Sequence, residues 1–307
     1  MHITLRQLEI FRAVAQYGRV TGAAESLHIS QPAASMALSE LEKHLGPLFD
    51  RNQGAGLKMN DSGRALLPKA SELIDRAKEL ENQFAEDGSY ESGSLVLNAS
   101  STIGNNLLPK MLARFRESYP GIRIDLEIDN TRVIEQRLLD FNTDLAVVEG
   151  VCLHPDIEVT TWLEDELVVI CSPDHPLANK GNIPLSSLAN ELWVLREPGS
   201  GTRELFDEMI ATQLPSPKVA MVLNRSEAVK QAVSDGVGIA CISSLAAKST
   251  LDTGHMATIG VTGLNLKRHF YLLTHKRKYK STVFTQLCQF ILASKPFETF
   301  DFYTQGI

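Results

Sequence analysis

Cysteine is scarce: the chain has four in 307 residues, at 152, 171, 241 and 288, with no CxxC pair and no Cys/His cluster. That spacing offers no disulfide framework, zinc module or redox pair, so buried free thiols in a reducing compartment are expected. Long hydrophobic runs are missing too. None approaches the roughly 20 residues that cross a bilayer. The start, MHITLRQLEIFRAVAQ, alternates charged and apolar residues and lacks a signal-peptide core, so a cytoplasmic location is expected. None of the eight histidines has HExxH spacing, and G-x-S-x-G, GxGxxG and GxxxxGK[ST] are all absent. The stretch DGVGIA reads as a turn into a strand, not as a nucleotide loop. No enzyme, cofactor or metal is expected.

Nor is there a large excess of basic charge. The net charge is −7, from 30 basic and 37 acidic residues. Residues 1–60 hold six Lys/Arg and five Asp/Glu and net +1, while the remainder nets −8. Such a balance argues against indiscriminate nucleic-acid binding but allows a small reading head on an acidic body. With 43% hydrophobic and 22% charged residues, the composition is that of an ordinary globular protein. At about 100–200 residues per domain, two or three domains are expected.

In the first sixty residues, Leu5, Leu8, Phe11 and Ala15 follow helical spacing, and Gly18 ends that helix. Thr21 is placed to cap a short second helix with Ala24 and Leu27 inward. After a turn at His28-Ile29, Ser30 caps a third helix with Pro32 in its first turn. Its buried face is Ala34, Leu38, Leu41 and Leu45, and Gly46 stops it. Two short helices joined by a tight turn form a helix-turn-helix. The other face of the third helix carries Gln31, Ser35, Met36, Ser39 and Glu42. Short polar side chains near a helix start suit entry into a major groove, although a solvated face looks the same.

The stretch LRQLEIFRAVAQYGRVTGAAESLHISQPAASMALSELEKHLGPLFDR decides between them: it resembles the winged helix-turn-helix of LysR-type transcriptional regulators. Through MHITLRQLE, ASSTIGNNLLP, WLEDELVV and LREPGSGTRE the resemblance extends over the whole chain, closest to the sulfite-responsive YeiE branch. It implies a winged helix-turn-helix at 1–60, a dimerising linker helix at 61–87, a hinge at 88–94 and an effector-binding domain at 95–307. That domain would have two α/β lobes like those of periplasmic binding proteins, lobe I at about 95–163 and 268–307 and lobe II at about 164–267. The resemblance also carries Thr21, Gln31, Pro32, Ala33, Ser35, Met36 and Ser39 of the helix-turn-helix, and Arg51 and Lys58 of the wing, to DNA. Two departures stand out. Met36 takes the place of an arginine common in the family, and Lys58 is the one basic residue between Arg51 and Arg64. Fewer phosphate contacts and a shallower salt dependence follow.

Asn60 or Asp61 caps the next helix. Leu66, Ala70, Leu73, Ala77, Leu80 and Phe84 then recur at alternating intervals of four and three, a heptad seam. Because residues 1–60 are expected to close their own small core, the seam is expected to pair with a second copy. A dimer sets two reading heads on half-sites one helical turn apart or a multiple of it. Pro68 is placed to bend this helix, and the polar run DGSYESGS forms the hinge.

Beyond Leu95, strand and helix patterns alternate, which predicts a mostly parallel sheet with helices on both faces. Strands are expected at 95–99, 122–128, 145–148, 167–171, 192–195, 219–223, 237–242 and 270–274. Helices are expected at 103–118, 131–140, 202–213, 227–234 and 283–293. In such sheets, ligands bind beyond the carboxyl ends of strands. Three strand-to-helix turns share one character: Ser100-Ser101-Thr102, Ser200-Gly201-Thr202 and Asn224-Arg225-Ser226. Each offers backbone N–H groups and short hydroxyls at a helix start, the parts of an anion site, and each also suits ordinary capping. The family resemblance implies effector contact at Ser100, Thr102 and Thr202. Glu149, ending a strand, points toward the same cleft and would repel a bare dianion. Either the ligand carries a proton or an amine, or Glu149 is itself protonated. Sulfite, which has a protonated form near neutral pH, is the first expectation, and a small organic acid or amino-acid-like metabolite the second. Arg196 and Arg203 are expected to pair with Glu197, Glu204 or Asp207 on the surface, and Trp162 and Trp193 to sit in the core. As further implications of the family, dimers pair into tetramers through their effector lobes and act on RNA polymerase. A free-standing two-lobed solute-binding protein would explain residues 95–300, but not the reading head.

Overall fold

The computed structural model describes residues 2–52, 56–84, 92–178 and 180–294. Most of the expected hinge, the far C-terminus and the side chain of Arg51 lie outside them. Helix α1 (Leu5–Tyr17) opens with a capping box, in which Thr4 and Gln7 exchange side-chain-to-backbone hydrogen bonds. Gly18 closes it at φ 65°, a left-handed conformation that favours glycine. Helix α2 (Val20–Ser26) starts before Thr21: the Ala23 amide already reaches the Arg19 carbonyl, and Arg19 is the cap residue. Thr21 is therefore an exposed first-turn residue rather than a cap. Ser30 caps α3 (Gln31–Leu45) by accepting from the Ala33 amide. Ala34, Leu38 and Leu41 are buried, while Leu45, the last residue of the helix, is exposed. Strands β1 (Phe49–Asn52) and β2 (Gly56–Met59) pair antiparallel as the wing.

Helix α4 (Asp61–Gln83) is capped by Asn60, and Pro68 does not end it. Its first half belongs to the head: Leu67, Ala70 and Ile74 pack with Leu8, Phe11, Val14, Ala34, Leu38 and Leu41. The expected seam therefore divides. Ala70 is buried in the head's own core and Leu66 is partly buried against it, whereas Leu73, Leu80 and Phe84 are 52%, 61% and 75% exposed. Residues 1–60 do not close a core alone. They leave an apolar side that the first four turns of α4 cover, so the later positions are the ones left for a partner.

The remaining chain forms two lobes. Lobe I has β3 (Gly93–Ser100), α5 (Ser101–Asn106), α6 (Leu108–Ser118), β4 (Ile122–Asp129), α7 (Thr131–Leu139), β5 (Leu145–Val148) and α11 (Thr282–Ala293). The helix expected at 103–118 is broken at Leu107. Every residue of β5 is buried, and its two faces serve different cores. Leu145 and Val147 pack with Phe115, Phe270 and Phe284, while Ala146 and Val148 pack with Ile134, Leu138 and Leu273. This is the period of two expressed in a strand covered on both sides.

Lobe II has β7 (Asn182–Pro184), β8 (Leu192–Arg196), α8 (Gly201–Phe206) running into a π-helical turn at 207–211, β9 (Lys218–Leu223), α9 (Ser226–Ser234), β10 (Ala240–Ser243), α10 (Ser244–Asp252) and β11 (Ala257–Thr262). Trp193 is fully buried there against Phe206. Two long strands join the lobes: β6 (Ile157–Cys171) and β12 (Lys267–His275). Strand β6 pairs with β12 over residues 157–166 and with β10 and β11 over 167–171, so the hand-over falls between Glu166 and Leu167. The sheets are mixed rather than mostly parallel. Pairs β3–β4, β3–β5, β8–β9 and β7–β11 are parallel, while every pairing of β6 and β12 is antiparallel. The reason is the return of the chain: each time it recrosses between lobes it must run against the strand it joins.

Candidate functional site

The ends of lobe I strands β3 and β5 and the start of the joining strand β12 meet the starts of lobe II helices at the seam between lobes. Strand β3 ends at Ser100, Glu149 follows β5, and Arg268 opens β12. Ser100, Ser200 and Arg225 are the cap residues of α5, α8 and α9, and none of the three makes a side-chain capping bond. The ordinary explanation for hydroxyls at helix starts therefore fails here. Instead, Ser100 Oγ donates to Glu149 Oε2 at 2.8 Å, and Thr202 Oγ1 reaches Glu149 Oε1 at 3.5 Å. Ser226 Oγ accepts from Arg196 Nη1 at 3.0 Å and lies 3.3 Å from Ser101 Oγ across the seam. Ser200 Oγ is buried without a partner.

Arg268 ties the cluster together. Its Nε donates to Asp165 Oδ2 at 2.7 Å and its Nη1 to Thr202 Oγ1 at 3.1 Å. Its Nη2, buried and without a hydrogen bond, lies 3.9 Å from Glu149 Oε2. Asp165 also accepts from Ser243 Oγ at 2.7 Å. Burial pushes the Asp165 carboxyl above its ordinary range; Arg268 and Ser243 pull it back, and Glu149 adds to the rise. A buried guanidinium thus faces two buried carboxylates, and its unused N–H group points into the seam.

The lobes stand closed on one another. A Cβ on Gly201 would lie 2.8 Å from the Glu149 carbonyl carbon and oxygen and from the Gly150 nitrogen. The Arg132 amide donates to the Gly199 carbonyl at 3.2 Å, and Arg225 Nη1 to the Ile128 carbonyl at 3.5 Å, both across the seam. The contacts of Ser100, Ser101, Thr202, Ser226 and Arg268 at this junction are polar, and Leu245 of α10 adds an apolar contact with the lobe I core. Cavities of about 580 and 510 Å³ lie elsewhere, the first beside α4 and the second against α3 and the wing.

Of the residues singled out in the sequence, Ser100, Glu149 and Thr202 come into direct contact, Ser101 and Ser226 adjoin them, and Thr102 and Ser200 are buried close by. Asn224 is exposed and is not brought into this cluster. Arg203 pairs with Asp207 as expected. Arg196 corrects the expectation of a surface residue: it is 3% exposed, because it ends β8 under the start of α9. Its pairing with Glu197 stands, with Ser226 as a further partner. Sequence reasoning missed Arg268, Asp165 and Ser243. A signal existed. Arg268 shares its strand face with Phe270 and Leu272, and Asp165 with Leu167 and Val169, so period two already placed both charges inward.

On the reading head, Gln31, Pro32, Ala33, Met36 and Lys58 are exposed. Thr21, Ser35 and Ser39 line the 510 Å³ cavity with Arg19, Glu42 and Gly56. Among the described residues, no group of three His, Cys, Asp or Glu could hold a metal ion, and no helix is long and apolar enough to cross a membrane.

Comparison with known proteins agrees with this architecture. The family model "LysR substrate binding domain" matches residues 88–295, and "Bacterial regulatory helix-turn-helix protein, lysR family" matches 5–64. The chain is 43% identical over 282 residues to the uncharacterized HTH-type transcriptional regulator YeiE of Escherichia coli, covering 92% of this chain and 94% of that one. It is 30% identical over 261 residues to the HTH-type transcriptional regulator CysL of Bacillus subtilis, covering 85% and 87%. Among solved structures, the regulatory domain of Synechocystis CcmR in complex with 2-PG matches at 30% identity and TM-score 0.62, covering 66% of this chain and 97% of that one. A full-length OxyR variant from Pseudomonas aeruginosa shares the fold at TM-score 0.72 and 20% identity, covering 96% and 99%. The chain belongs to the LysR family of DNA-binding transcriptional regulators, with a helix-turn-helix head and an effector-binding domain.

Proposed function

We propose that this regulator answers to a small oxyanion, sulfite first, held between the lobes by the hydroxyls of Ser100, Ser101, Thr102, Ser200, Thr202 and Ser226. One observation carries the reading: the cap residues Ser100 and Ser200 make no capping bond, Ser226 bonds Arg196 and faces Ser101 across the seam, and Ser200 Oγ and Arg268 Nη2 are buried without a hydrogen-bond partner. Glu149 shapes the choice of anion. Its carboxylate already draws on Ser100 and Thr202, so a bare dianion would meet like charge. The protonated form of sulfite can donate to that carboxylate while its other oxygens accept from the orphaned donors. A small organic acid or amino-acid-like metabolite is the second reading, favoured by the 2-PG complex of the related CcmR domain. Calorimetric titration of the full chain with sulfite, sulfate and acetate distinguishes these, and absence of heat from sulfite retires the first. Thr202→Leu is expected to abolish the ligand response and leave DNA affinity intact, read by titrating promoter binding with and without sulfite. Loss of both together would indicate misfolding instead.

Thr21, Gln31, Pro32, Ala33, Ser35, Met36, Ser39, Arg51 and Lys58 meet promoter DNA in this reading, with the exposed start of α3 in the major groove. The dimer forms through the later part of the linker seam, the exposed Leu73, Leu80 and Phe84 with the half-buried Ala77 between them. Leu80→Glu is expected to weaken self-association at least about tenfold in sedimentation equilibrium, since it sets two carboxylates in an apolar seam. An unchanged dimer would move the interface elsewhere. Dimers pair further through the effector lobes, supported by the exposed Val219, Met221 and Val222 on β9. The assembly acts on RNA polymerase in the cytoplasm.

A further inference from the structure

Strands β3, β5 and β12 of lobe I each carry a residue of the inter-lobe seam at one end and a residue of a second polar cluster at the other. Strand β3 holds Val96 and ends at Ser100, β5 lies between Asp144 and Glu149, and β12 leads from Arg268 toward Lys278. At the far end, Lys278 Nζ lies 2.6 Å from Asp144 Oδ1 and 2.6 Å from Asp75 Oδ2 on linker helix α4. Asp144 Oδ2 accepts from the Val96 amide at 2.7 Å, so the same carboxylate clamps β3. Asp75 Oδ1 in turn meets Arg12 Nη1 of α1 in the reading head at 3.3 Å. A second contact runs alongside: Glu79 of α4 accepts from Tyr279 Oη at 2.7 Å and from the Thr282 amide and hydroxyl at 2.9 and 2.8 Å.

We propose that Lys278 is a coupling latch, which transmits the state of the inter-lobe seam through β3, β5 and β12 to linker helix α4 and so to the reading head. The physical case has three parts. The Lys278 side chain is 7% exposed, so its bonds are little screened, and removing the lysine leaves two carboxylates facing each other without the cation between them. Burial opposes the charge on Lys278, yet Asp144 and Asp75 outweigh it and hold the group above the usual lysine range. Finally, β5 is a buried strand packed on both faces, and the five steps from Asp144 to Glu149 span about 17 Å at roughly 3.3 Å each. A strand so confined moves as a unit, and displacing Glu149 displaces Asp144. The latch rests on the inter-lobe seam being the regulated site, but not on which anion fills it.

The test therefore perturbs the seam without a ligand. Gly201→Ala forces a methyl group against the Glu149 backbone. Hydrogen exchange of α4 amides 72–83 is followed in the full chain by mass spectrometry. Lys278→Met alone is expected to speed that exchange about tenfold by freeing the helix. Gly201→Ala is expected to shift α4 exchange in the wild-type background, and to lose at least roughly two thirds of that shift in Lys278→Met. Asp144→Asn serves as the second variant, because its amide oxygen still accepts from Val96 while the charge facing Lys278 is gone. Lys278→Arg is expected to restore at least about half of the coupling, through a charge that still reaches both carboxylates. Unchanged α4 exchange in both Lys278→Met and Asp144→Asn would overturn the latch. So would a Gly201→Ala effect of equal size with and without Lys278, or no Gly201→Ala effect at all. A failure of sulfite to bind in calorimetry would remove the effector assignment and leave this comparison to stand or fall alone.

Discussion

Replacing Arg268 by methionine is expected to destabilise the effector domain by about 3–5 kcal/mol, the usual cost of removing one partner from a buried ion pair. Asp165 would keep its Ser243 bond but lose the guanidinium that offsets its burial, and Glu149 would lose its nearest cation. The effect has a pH signature with a definite sign. Burial already raises the Asp165 carboxyl in the folded protein, and loss of Arg268 raises it further. A carboxyl raised in the folded state costs stability above its folded pKa and nothing below its unfolded value of about 3.9. The deficit of Arg268→Met should therefore be greatest near neutrality and shrink as pH falls toward that value. Urea denaturation across that range measures it. Adding Asp165→Asn to Arg268→Met should recover much of the loss, since the amide still accepts from Ser243 without a charge. A deficit below about 1 kcal/mol, flat with pH, would mean that Asp165 has another partner.

The second large effect concerns closure itself. In Gly201→Ala the new methyl group meets backbone atoms of Glu149 and Gly150, which cannot rotate away as a side chain would. Overpacking of this kind costs about 1–3 kcal/mol when the structure stays closed. Opening the seam relieves the clash, so the variant is expected to lose effector affinity by more than about tenfold as the closed state is depopulated. Calorimetry with sulfite reads the affinity, and small-angle scattering reads the separation of the lobes. Normal affinity with unchanged scattering would show that the backbone around Glu149 gives way locally. The reading head keeps a core of its own, so any change in the variant's DNA affinity without effector is carried by the contacts of α4 with Lys278 and Tyr279.

Much of this was legible in the linear pattern because local chemistry is decisive there. Ser30 and Pro32 mark the start of α3, Gly18 and Gly46 stop α1 and α3, and Asn60 caps α4, because caps depend on a few adjacent backbone groups. The hydroxyl-bearing turns at Ser100, Ser200 and Ser226 stood out by local composition alone, although none of these side chains caps its helix. Thr21 was misread because either of two neighbouring residues can precede a helix, and which one does depends on how the chain leaves Gly18. The linker seam was half misread. Its period says only that one face is apolar, and both the head's own core and a second copy can cover it.

Composition, caps and hydrophobic period were enough to specify a capped helix-turn-helix, a long helix and an alternating α/β body, since each is set by interactions within a few residues or along one face. Tertiary structure alone decided that the first turns of α4 complete the head, that Arg196 is buried, and that Arg268 stands between Asp165 and Glu149. Those pairings join positions 103 and 119 residues apart, and a charge in a strand says nothing of its partner until the strands β5, β6 and β12 lie side by side. The same holds for Lys278, whose two carboxylates come from α4 and from the approach to β5.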